Sequence, residues 1–145
     1  MCDDGIKEVI KNITKKIEDI PCIDIQYNET VFAENIIQCH NFQSNTRGLV
    51  TPRSSDKTKF VMLIHSESTG LVLKNIVLHE FGHTLGLKHV CFPPSVMAPV
   101  VDETREMDFT MEQQQQIRKR YLKNTFKCNQ FFNLLNKMNF KDFEY

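Results

Sequence analysis

No stretch of this chain is apolar for long enough to span a bilayer, so no membrane anchor is expected. Its opening, MCDDGIKEVIKN, lacks the basic start and apolar run of a secretory signal, which leaves the compartment open. Charge of one sign is missing too: 18 Lys and Arg face 18 Asp and Glu. That balance removes the field that draws nucleic acid or an anionic membrane, and the only basic cluster, Arg118–Arg120, is short enough to be a solvated helix face. The five cysteines, Cys2, Cys22, Cys39, Cys91 and Cys128, are odd in number and irregularly spaced. A disulfide framework is thereby disfavoured, and reduced, partly buried thiols are expected. There are no internal repeats, and the run Gln113–Gln116 is too brief for low complexity. What remains is ordinary globular composition, 41% apolar and 25% charged over 145 residues. It describes one domain, read here as a monomer, with room for a real core.

Apolar spacing orders the elements. Ile6, Val9, Ile10, Ile13, Ile17 and Ile20 recur at helical intervals, predicting a helix over Asp4–Ile20 with Asp3 or Asp4 as cap and Pro21 as stop. Strands follow at Cys22–Tyr27, Asn35–His40 and Arg47–Thr51, then at Lys59–His65, apolar almost throughout. A helix apolar nearly all round, hence buried, is predicted from about Thr69 to Thr84. After a proline-rich turn, Thr110 with Gln113 forms a capping-box pattern, and Ile117, Tyr121 and Leu122 give the next helix an inward stripe. Phe131, Leu134, Leu135 and Met138 predict a terminal packing helix, so residues 124–145 read as an extension of the domain. Strands before the buried helix and helices after it make the fold class α+β.

The chemistry concentrates in HEFGHTLGLKHVCFPPSVMAP, His79–Pro99. His79 and His83 stand four apart, so both imidazoles leave one face of a helix and can share a cation. Glu80 flanks the first of them, where its carboxylate reaches a metal-bound water rather than the metal. A straight helix would carry His89 away, but Gly86 can take the left-handed conformation that ends a helix and returns the chain. Three neutral imidazoles with one open position are the catalytic form of a zinc site. Zinc would lower the pKa of its water to roughly 7, and Glu80 would take the proton and deliver it to the leaving amine. Met97 is read as an apolar floor beneath the imidazoles, held in a turn by Pro93, Pro94 and Pro99. Cys91, close to the third ligand, reads as an ordinary apolar thiol, and His40 and His65 as satisfied strand-end histidines rather than a second site.

This stretch resembles the HExxHxxGxxH motif of the metzincin zinc endopeptidases, and SVMAP resembles their Met-turn. Phe81, Gly82, Pro99 and the seven residues between His89 and Met97 are most similar to the matrixins. The resemblance implies a zincin-like domain: a twisted mixed sheet with an active-site helix, a Met-turn and a C-terminal helix. It makes His79, His83 and His89 the ligands of one catalytic zinc, Glu80 the general base and Met97 the Met-turn residue. It also implies a peptide or protein substrate lying along an edge strand, for which Leu49 and Val50 are the candidates. The pocket after the scissile bond would lie between the active-site helix and the segment past Met97, with Asn75 lining its depth and Val100 and Val101 its wall. Three features depart from the pattern. The chain begins at a helix where matrixins have a strand. Between His40 and His65 there is no ligand set comparable to the loop that holds structural zinc and calcium, so neither is expected. A propeptide cysteine switch is absent, which also argues against Cys2 beside Asp3 acting as one. Two other readings of the motif are a metzincin-like module that keeps zinc but sequesters or inhibits a protein partner, and an aminopeptidase-like metzincin, for which Cys91 alone supplies too few cysteine ligands.

Overall fold

In a computed structural model, residues 2–20, 35–53, 55, 59–91 and 94–120 are described. The expected strand Cys22–Tyr27, the stripe residues Tyr121 and Leu122, and the terminal packing helix lie outside them.

Helix α1 spans Asp4–Glu18, and Asp3 is its cap, its carboxylate accepting from the Ile6 amide at 2.8 Å. Ile6, Ile10, Ile13 and Ile17 are all at most 2% exposed, the single face that their spacing implied. Each such burial contributes about 1.5–3 kcal/mol against the exposed state. The helix stops two residues before the expected end, although Ile20 remains buried.

Three strands form a mixed sheet in the order β1-β3-β2: β1 is Ile36–His40, β2 is Gly48–Pro52 and β3 is Phe60–His65. β1 runs parallel to β3, pairing Ile36 with Val61 through His40 with His65. β2 runs antiparallel, pairing Gly48 with Ile64 through Pro52 with Phe60. The central strand is apolar because Met62 and Ile64 are buried on one face while Val61 and Leu63 are half-buried on the other. β2 therefore lies at a sheet edge among the described residues. Its side chains alternate, with Gly48 and Val50 half-buried and Leu49 46% exposed.

Helix α2, Gly70–Thr84, packs against α1 and against the sheet. Leu73, Ile76, Val77, Leu78 and Phe81 bury on it, so it carries the core on nearly every side. Helix α3, Met111–Arg120, opens with the expected capping box: the Gln113 amide donates to Thr110 Oγ1 at 3.1 Å and the Thr110 amide to Gln113 Oε1 at 2.9 Å. Ile117 is its fully buried member. None of the described helices is long and apolar enough to cross a membrane.

The thiol expectation is corrected. Cys2 and Cys39 form a disulfide across 37 residues, joining the start of α1 to the end of β1. Sequence spacing could not show this pairing, because only the packed fold brings the two segments together. Closing a loop of that length removes about 4 kcal/mol of unfolded-state entropy on a chain-entropy account. The bond also leaves Cys2 no free thiol with which to act as a switch. Cys91 is a free thiol as expected, but exposed rather than partly buried.

Candidate metal centre

α2 supplies two imidazoles from one face. His79 is 5% exposed and His83 half-buried. The helix then ends as Gly86 permits, at a φ of 98°. The Leu87 amide donates to Gly82 O at 2.8 Å and the Gly86 amide to His83 O at 3.1 Å, the paired bonds of a Schellman cap. That reversal returns the chain and delivers His89.

The three Nε2 atoms then stand at the corners of a near-equilateral triangle. His79 to His83 is 3.1 Å, His83 to His89 is 3.1 Å and His79 to His89 is 3.2 Å. A tetrahedral zinc about 2.0–2.1 Å from each nitrogen would space its ligands by about 3.3 Å. The outer nitrogens settle the tautomers. His79 Nδ1 lies 2.6 Å from Val96 O and His83 Nδ1 lies 2.9 Å from Leu87 O. A carbonyl only accepts, so both Nδ1 atoms carry the proton and both Nε2 lone pairs point inward. Two lone pairs 3.1 Å apart repel unless a cation lies between them. Burial also keeps these rings neutral: the His79 imidazole is pushed down to about 4 chiefly by burial, and His83 is lowered for the same reason. Three neutral, converging donors can hold a metal ion, and His89, being exposed, leaves the triangle open toward solvent. His65 and His40 do not join it. His65 is buried, with its Nδ1 accepting from the Glu67 amide at 3.2 Å, and the Phe42 ring packs against both His40 and His65.

Met97 is wholly buried, and its sulfur fills the space where a side chain on Gly82 would begin. The turn holding it is secured by hydrogen bonds of Ser95. Ser95 Oγ accepts from the Met97 amide at 3.1 Å and from Gln113 Nε2 at 2.9 Å. Pro94 and Pro99 are exposed, and Pro93 lies outside the described residues. Gln113 thus caps α3 with one end of its amide and braces this turn with the other. Sequence reasoning saw only the cap.

Glu80 is 6% exposed, and burial raises its carboxyl to about 7. Among the pocket candidates, Asn75 is 1% exposed and its amide is fully engaged. Nδ2 donates to Asp102 O at 2.8 Å and Arg105 O at 2.7 Å, while Oδ1 accepts from the Met107 amide at 3.0 Å. Lys74 pairs with Glu106 beside it. Asn75 is therefore the clamp that fastens the segment 102–107 to α2. Val101 is half-buried against the core, whereas Val100 is 82% exposed. Asn75→Ala should cost about 1–3 kcal/mol in chemical denaturation, because it removes the partner of the buried Met107 amide and of two carbonyls in the 102–107 segment. It should also speed amide exchange at Met107; a loss below half a kcal/mol would mean water replaces the clamp.

The sequence model of the family described as Matrixin matches residues 24–122, a span that contains all three imidazoles, Glu80 and Met97. Among curated proteins, none matches the chain.

Proposed function

Since the chain belongs to the matrixin family, we propose that it is a zinc-dependent endopeptidase, with His79, His83 and His89 holding one zinc ion and Glu80 serving as general base. The observation that carries this reading is the triangle of inward-facing Nε2 atoms, 3.1 to 3.2 Å on a side, next to a buried carboxylate in sequence and on the same helix. Zinc bound there supplies Lewis acidity toward water and toward the scissile carbonyl. Glu80 takes a proton from the attacking water onto its carboxylate and passes it to the departing amine nitrogen. A carboxyl raised to about 7 by burial accepts that proton far more readily than an ordinary one near neutral pH. Met97 acts as the Met-turn residue, supporting the ligands from below, and Val96 O orients His79 through its Nδ1 proton.

The substrate lies extended along the edge of β2 that is unpaired among the described residues, bonding main chain to main chain beside Leu49 and Val50. Its side chain after the scissile bond enters a pocket between α2 and the segment past Met97. Asn75 shapes that pocket through the loop it holds, and Val100 and Val101 supply apolar wall, which favours Leu, Ile or Met in the substrate. The test is a mixed peptide library incubated with zinc-loaded protein and read by mass spectrometry. Cleavage is expected at internal bonds, lost on chelation and restored by zinc. Zinc binding without any cleavage would instead support a module that sequesters or inhibits a protein partner.

A further inference from the structure

Gly48 begins the edge strand β2 and pairs with Ile64, yet its backbone does not need glycine: among the described glycines only Gly70 and Gly86 have positive φ. A glycine inside a strand weakens it, so a close approach by another group has to account for it. That group is Glu80. A Cβ built on Gly48 would lie 2.7 Å from Glu80 Oε1, 2.8 Å from its Cγ and 3.0 Å from its Cδ, and these are its three nearest atoms. The Glu80 side chain thus stands flat against the strand, in space that any other residue at position 48 would occupy.

We propose that Gly48 is a positioning residue: its missing side chain is what lets the Glu80 carboxylate rest against β2. Glu80 is held between α2, which carries it, and the strand, which stops it, and is left one direction in which to face. This inference rests on the reading of Glu80 as general base. The colliding atoms all belong to one flexible side chain and none to backbone, so an alanine at 48 would be accommodated by moving Glu80 while the strand stays in place. Fold and zinc ligands would survive, and the carboxylate would be displaced. A displacement of about 1 Å in a reacting group can cost about 10²-fold in rate.

The experiment is a cycle of Gly48→Ala, Glu80→Ala and the double variant. In the metal-free proteins, Gly48→Ala should lower Tm by several degrees when Glu80 is present and leave Tm unchanged or raised when Glu80 is alanine, because the space has been vacated. A crystal structure of Gly48→Ala should show the carboxylate moved away from β2. In the zinc-loaded proteins, Gly48→Ala should keep full zinc content, keep KM within about twofold and lose about 10–100-fold in kcat. Added to Glu80→Ala, it should cost no further activity. Equal Tm effects in both backgrounds, an unmoved carboxylate, or a loss that appears in KM and persists without Glu80 would each overturn the proposal. A wild-type protein that cleaves no peptide would count against the endopeptidase reading alone, since the Tm cycle and the crystal structure still decide the contact.

Discussion

Glu80→Ala is expected to retain one zinc per chain and to lose about 10²–10⁴-fold in peptide turnover. The two halves of that expectation come from different places in the structure. On the proposed reading zinc depends on three nitrogens that converge within 3.2 Å of one another, and Glu80 is not among them. Turnover depends on a group that can take a proton near neutral pH, and burial has raised the Glu80 carboxyl to about 7. Stability works in the opposite direction. A buried carboxyl with a raised pKa penalises folding once pH exceeds its unfolded value, so the metal-free variant should gain stability over wild type above about pH 5. A variant that is more stable, zinc-loaded and nearly inert would identify a residue kept for chemistry. Near-normal turnover would show that another group moves the proton. Metal analysis, denaturation against pH and single-turnover peptide cleavage separate these outcomes.

His89→Ala should weaken zinc binding by more than about 100-fold. Removing a group that merely orients a ligand typically costs 10–100-fold, and on the proposed reading His89 is a ligand itself. Its loss leaves two nitrogens on one helix, with nothing to close the third corner of the triangle. The consequence extends to stability. Zinc present at about a hundred times Kd adds about 2.7 kcal/mol to the native state, and a 100-fold weaker site at the same concentration adds only about 0.4 kcal/mol. Most of the zinc-dependent rise in Tm should therefore vanish. His65→Ala is the matched control, a buried imidazole on β3 that lies outside the triangle. It should lose stability through its own lost packing yet keep the zinc-dependent increment. Equal loss of zinc from both variants would refute the ligand assignment.

Much of the site was legible because its residues obey short-range geometry. An interval of four places two side chains on one helical face whatever surrounds them, so His79 and His83 were readable as a pair. Gly86 announced a helix end because only glycine takes a φ near +98° without strain. The core faces of α1 and α2 were readable for the same reason, since helical periodicity is a property of the local chain. The capping box of Thr110 and Gln113 spans three residues, and the fold honours it.

What was not legible joins residues that are distant in the chain. Nothing at Cys2 signals Cys39, 37 positions on. Asn75 carries no mark of the three backbone groups it gathers from residues 102–107, nor Gln113 of Ser95. Gly48 reads as a poor strand residue until Glu80 is seen to occupy the space beside it. The sequence alone thus determined which groups could bind a metal and which carboxylate is proposed to move a proton, because residue type and local spacing decide that. Only the tertiary structure decided what holds those groups in place, because the hydrogen bonds and close contacts that do so form between segments brought together by burial of a shared core.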